Sequence, residues 1–383
     1  MKSHLKIFIW PMWLGILVWP FMGWRGALWL AAAGSVVCLL VLAAGRLWPK
    51  QRKISPPQLK MSSRTEKILL LSFVLILLLL PAVLNRYYLD VAITAGIYIV
   101  LALGLNIIVG LAGLLVLGYI AFYAVGAYTY AILGTQHHLT FFLALPLAAL
   151  LALLLGLLLG LPTIRLRGDY LAIVTLGFGE IARIVLNNWD GLTGGPNGIM
   201  HIPRPSAFGV KLGSPVHLYF IVLALIGLVS FLISRLNDSR LGRALIAMRE
   251  DETAARACGI DTTRLKMLAF ALSAAVAGAM GAVFAAKMSF VSPESFTFWE
   301  SIMILCMVVL GGMASIPGVI LGALALIVLP EWLRQLQNYR MLLFGASMIA
   351  MMIFRPQGLL PSKRRKLELE ESSQPSLTVS DGR

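Results

Sequence analysis

The chain has 383 residues, 59% of them hydrophobic and only 13% charged, with a formal net charge of +15. Soluble domains carry about a quarter charged residues, so this composition excludes one. The basic residues fall in blocks between apolar runs, as in loops held in the cytoplasm; a nucleic-acid-binding surface would gather them on one face.

Apolar segments lie near residues 7–22, 27–47, 68–84, 91–109, 114–133, 140–162, 169–189, 217–234, 265–286, 299–312, 317–332 and 340–354. They are continuous rather than alternating. Unpaired backbone groups are too costly in lipid, so such runs must cross as helices. A bilayer core about 30 Å thick needs roughly 20 residues per helical crossing, and several runs are shorter than that. The expected fold is an all-α polytopic membrane protein with about ten transmembrane helices and additional broken or half-crossing segments.

The first run follows a basic start, is rich in Trp and Pro, and lacks a clear A-x-A site, which predicts a retained span rather than a cleaved signal peptide. Residues 48–67, with Pro49, Pro56 and Pro57, read as a linker carrying much of the strongest basic block, Arg46 to Lys67. The expected division is 1–67, an N-terminal pair of spans with this cytoplasmic linker; 68–361, the membrane body with a charged loop at 235–264; and 362–383, a charged, Ser-rich tail with the composition of a disordered segment. Placing Lys60, Arg165, Arg167, the run Arg235 to Lys266 and Lys363 to Lys366 in the cytoplasm puts both termini inside and the 190–216 loop outside.

Two apolar runs are interrupted by small residues. NIIVGLAGLLVLGY (Asn106 to Tyr119) contains Gly110 and Gly113, and VVLGGMASIPGVILG (Val308 to Gly322) contains Gly311 and Gly312. Breaks at membrane depth are tolerated where the backbone is buried in protein or lines a cavity, and a pair of them points to a transport route. Close helix packing through small residues is the other reading. Glu180 and Arg183, three residues apart within one run, are neighbours on a helix. They form either a mutually neutralising structural pair or part of a polar pathway. Glu300 and Glu331 lie at segment ends and read as interfacial. TGGPNG (Thr193 to Gly198) demands tight turns, whether in an ordinary external loop or in a structured surface.

MREDETAARACGI (Met248 to Ile260) is charge-dense between two apolar runs. Asn237, Asp238 or Ser239 can cap a helix start, Gly259 suits its stop, and Asp261 or Thr262 can cap the next span. Leu241, Leu245 and Met248 share one helical face, and Glu252 precedes Arg256 at ion-pair spacing. The segment reads as one short cytoplasmic helix, either merely solvated or presenting a surface for packing.

Motifs for chemistry are missing. No P-loop occurs, no carboxylate pair is placed for hydrolysis, and Cys38, Cys258 and Cys306 have neither metal nor redox spacing. The adjacent His137 and His138 read as an external turn rather than a metal site. No catalytic residue and no metal are expected.

Several blocks, in order, resemble the LivM type of permease from bacterial branched-chain amino-acid ABC importers. They are GLNIIVGLAGLLVLGY, RLRGDYLAIVTLGFGEIARI followed by TGGPNGI, SFVSPESFTFWES, VVLGGMASIPG and FRPQGLLP, spanning about Asn106 to Pro361. The resemblance implies a permease in the bacterial inner membrane, partnered by a LivH-like second permease, two cytoplasmic ATPases that bind the ATP and Mg²⁺, and a periplasmic amino-acid-binding protein. The chain itself would bind no cofactor. The resemblance also implies that the loop at 235–264 carries the coupling helix gripped by an ATPase, with Leu245, Met248, Glu252, Ala254, Ala255 and Gly259 as its candidate residues. Ala254, Ala255 and Gly259 match the EAA-x-x-x-G pattern, but Thr253 stands where Glu is expected. Asn106, Gly110, Gly113, Gly311, Gly312 and Glu180 are the candidates for the translocation route. Urea- or amide-type importers are similar to the same family, and an ion-coupled secondary transporter is the alternative of a different class.

Overall fold

A computed structural model describes residues 85–332 apart from short gaps within 164–167 and 208–212, together with 358–360 and five single positions. The chain divides into two units, Met1–Val74 and Leu75–Arg383; the described residues all belong to the second. The expected N-terminal pair of spans, the basic linker and the tail lie outside them.

Among the described residues, five helical stretches are long and apolar enough to cross a membrane, and two shorter apolar helices accompany them. The chain is an all-α polytopic membrane protein. Helix α1 (Arg86–Asn106) continues into one π-helical turn, Ile107–Leu111. Then follow α2 (Ile120–Thr135), α3 (Phe141–Thr163), α4 (Asp169–Asn188) and α5 (Pro215–Asp238). Two short helices, α6 (Arg240–Glu250) and α7 (Glu252–Ala257), lead to α8 (Thr262–Met288), α9 (Phe298–Gly311) and α10 (Ile316–Trp332).

Burial sorts the spans. The most apolar stretch of α1 is 78% buried within the chain and that of α8 61%, against 28% for α3 and for α5. A helix apolar all round suits either protein or lipid, so neighbours decide its place: α1 and α8 are central, while α3 and α5 keep Leu154, Leu158, Phe231 and Leu232 outward. Helix α8 occupies the centre because its sequence, SAAVAGAMGAVFAA, is nearly all small residues. Lipid tails are as apolar as Leu, so close backbone approach rather than hydrophobicity holds such helices together. A Cβ on Gly126 of α2 would stand 2.0 Å from the Gly278 carbonyl of α8, so only glycine permits that crossing.

Polar contacts pin the two ends of the bundle. At one end, Ile199–Met200 pairs antiparallel with Phe290–Val291, the Tyr130 hydroxyl donates to the Pro203 carbonyl, and Lys287 on α8 reaches Asp90 on α1 at 3.2 Å. TGGPNG is a structured turn at this end, with Thr193 buried and donating to the Leu186 and Trp189 carbonyls. The other end carries α6, α7 and both glycine breaks.

Candidate functional site

The first break begins where α1 relaxes into its π turn, a local unwinding common at functional positions. From Ala112 to Tyr119 the chain is not helical, and two backbone amides toward its end are met by side chains. The amide of Leu117 donates to Thr175 Oγ1 on α4 and that of Ile120 to Ser301 Oγ on α9, both at 3.1 Å. Thr175 and Ser301 are fully buried. Ser273 on α8 donates to the Gly104 carbonyl, and the Tyr119 hydroxyl to the Ser273 carbonyl. Irregular backbone at membrane depth is tolerated where it is buried in protein and finds partners of this kind.

The second break separates α9 from α10 at Gly312–Ser315, with Gly312 at φ +115° and Ala314 at φ +61°. Residues 358–360, the end of FRPQGLLP, close onto it: the Leu359 and Leu360 amides donate to the Leu310 and Gly311 carbonyls.

The two breaks touch. Asn106, 1% exposed, accepts from the Ala314 amide at 2.9 Å through Oδ1. A Cβ on Gly110 would lie 2.1 Å from that same Oδ1 and 2.6 Å from the Ala314 amide. Four of the six route candidates, Asn106, Gly110, Gly311 and Gly312, therefore belong to one packed junction, with Gly113 on its exposed rim. Glu180 does not join them. It pairs with Arg183 at 2.9 Å on α4, both side chains about one-third exposed at 34% and 35%. Glu300, read from the sequence as interfacial, is half-buried and accepts from the Tyr98 hydroxyl at 2.5 Å.

The charged loop differs from the single helix expected. It forms two, α6 and α7, split at Asp251, whose extended backbone breaks the helix. Asp251 caps α7 by accepting from the Thr253 and Ala254 amides at 2.7 and 3.0 Å, so the residue that divides the segment also starts its second half. Ser239 caps α6, Asp261 caps α8, and Gly259 at φ +83° follows the end of α7. Leu245 (0% exposed), Met248 (4%) and Ala255 (5%) face the chain's own core. The apolar side expected to supply partner contact is thus occupied internally, while Leu241 at 49% is left exposed. Glu252 pairs with Arg256 at 3.1 Å, the spacing expected, and also with Lys266 on α8 at 3.0 Å. Lys266 is 2% exposed, so Glu252 anchors the loop to a span. Ala254, Arg256 and Gly259 remain exposed.

The chain from Tyr87 to residue 352 matches the family model described as branched-chain amino acid transport system / permease component. The chain belongs to that family. It is 48% identical over 82% of its length, and 79% of the relative's, to the protein named high-affinity branched-chain amino acid transport system permease protein LivM of Salmonella typhimurium. It is 47% identical to the Escherichia coli protein of that name, with 83% and 80% covered, and 33% identical over 42% of its length, 49% of the relative's, to an autoinducer 2 import system permease protein LsrC of Klebsiella pneumoniae. No solved structure matches. As a member of this permease family, the chain is a multi-pass membrane subunit and not itself an ATPase.

Sequence reading missed Thr175, Ser273, Ser301, Lys266 and Arg249 as functional residues. A hydroxyl inside an apolar run was the available signal for the first three; nothing local marked Lys266 or Arg249.

Proposed function

We propose that the chain moves leucine, isoleucine and valine inward across the bacterial inner membrane. It does so as one half of a permease pair, fed by a periplasmic binding protein and driven by two cytoplasmic ATPases that hold ATP and Mg²⁺. The observation that carries the substrate class is the near-full-length similarity to proteins named for high-affinity branched-chain amino acid transport. Orientation follows the basic blocks, with both termini and α6–α7 in the cytoplasm and the 190–216 loop outside.

In this reading the outer surface of α6–α7, centred on Ala254, Arg256 and Gly259, is gripped by an ATPase. Leu245, Met248, Ala255 and Glu252 hold the loop rigid from behind. What supports it is the construction of the loop: two capped helices, apolar side inward, ion-paired to a span. A rigid lever passes on displacement that a flexible loop would absorb. The junction of Asn106, Gly110, Gly311 and Gly312 supports the route near the cytoplasmic side, with Gly113 beside it. Glu180, ion-paired to Arg183 on α4 and partly exposed, serves either that route or contact with the second permease. ATP binding shifts the population between two packings, and the binding protein delivers substrate to the outward one.

The test is ATP hydrolysis by the reconstituted complex. Stimulation by binding protein loaded with leucine, isoleucine or valine is expected; stimulation only by a loaded amide such as urea would contradict the substrate class.

A further inference from the structure

One side chain joins the α6–α7 loop to the first break. Arg249, in the last turn of α6, donates through Nη1 to the Gly110 carbonyl at 2.9 Å. Past Leu111 the chain leaves the helix, so carbonyls of its last turn need partners from elsewhere. A cation is favoured at that end of a helix. The guanidinium therefore caps α1 across 139 residues of sequence. Its other nitrogens, Nε and Nη2, hold Glu250 Oε1 at 3.0 and 2.5 Å. The methylene stem is equally constrained. A Cβ on Gly113, at φ +70°, would lie 2.3 Å from Arg249 Cγ, and the Arg249 side chain is only 20% exposed. Gly110 in turn packs on Asn106, which holds Ala314 in the second break.

We propose that Arg249 is the positioning residue that transmits displacement of the α6–α7 loop to the broken end of α1, and through Asn106 to the α9–α10 break. The inference rests on the reading of that loop as the ATPase contact. Arg249 lies on the loop's inner side, immediately before the Asp251 division, and both of its ends are held. Movement of α6 must then either pull the Gly110 carbonyl with it or break a charge-assisted hydrogen bond. Lys could reach one of these partners but not fork between them.

The test uses the full importer in proteoliposomes with Arg249→Met, Arg249→Lys and, separately, Ala254→Trp. Three quantities are read: ATPase co-purification, ATP hydrolysis and leucine uptake. For Arg249→Met, co-purification stays normal and uptake per ATP falls about tenfold, within the usual range of coupling between sites. Arg249→Lys recovers part of the loss, and carries the test alone if the Met variant does not accumulate. An unchanged uptake-to-ATP ratio overturns the inference. So does loss of ATPase co-purification in Arg249→Lys, which would make Arg249 a docking residue. Loss of coupling in Ala254→Trp but not in the Arg249 variants removes this inference alone. Intact binding and coupling in Ala254→Trp removes the docking reading itself.

Discussion

Asn106 does what a single polar side chain inside a membrane bundle can do well: its carbonyl oxygen meets an amide that a helix break has freed. Replacing it with Leu keeps the size but leaves the Ala314 amide unpaired in a buried place. Such a loss costs about 1–3 kcal/mol, and Asn106→Leu is expected to lower the thermal midpoint of the purified complex together with uptake. A midpoint equal to that of the unaltered protein would mean that water or another group serves Ala314 equally well. Glu252 illustrates the same logic for charge. Exposed at 14% and paired with the buried Lys266, it cannot be reversed without facing one cation with another. Breaking one side of a buried pair costs roughly 3–5 kcal/mol, and Glu252→Lys should approach that figure less the share owed to its partial exposure. Thermal unfolding of Glu252→Lys, Lys266→Met and the double variant checks it: non-additive losses are expected, and simple additivity would mean that the two residues act independently.

At the scale of elements, the loop that looked like one helix is two because Asp251 offers its carboxylate to amides two and three residues on. That competition is invisible to periodicity and plain to capping chemistry. Asp251→Ala removes two amide contacts and about 1 kcal/mol of helix stability; faster hydrogen exchange at 252–257 and weaker ATPase binding are the expected results, and unchanged exchange would show that tertiary packing alone holds α7. The two faces of this pair also separate cleanly. Ala254→Trp, on the outside, should reduce ATPase co-purification with normal membrane insertion, whereas Ala255→Trp, on the inside, should disorder the loop itself. Much of this was legible in the residues: the caps at Ser239 and Asp261, the Glu252–Arg256 pair and both glycine breaks. The inward turn of Leu245 and Met248 was not, because a helical face shows only that it packs, not whether its own chain or a partner covers it. For the same reason, the meeting of Asn106 with Ala314 and of Arg249 with Gly110 could not be read: each links residues far apart in sequence, and a hydroxyl, amide or guanidinium does not announce its distant partner.

For the whole molecule, the bundle places both breaks and the charged loop at one end and the TGGPNG turn, with its short strand pair, at the other. The orientation proposed from basic residues then predicts that a single cysteine at Asn197 is labelled from outside intact cells and one at Lys60 only after permeabilisation; the reverse pattern would invert the scheme. The central claim is that this subunit transports only through ATPases acting on that loop. It is tested most directly by leucine uptake into proteoliposomes containing the permease pair, with leucine and its binding protein supplied together in the external medium. Uptake is measured either with ATPase subunits and ATP or with an imposed proton or sodium gradient alone. The account predicts accumulation with ATP and none with either gradient. Gradient-driven leucine accumulation without the ATPase subunits would contradict it.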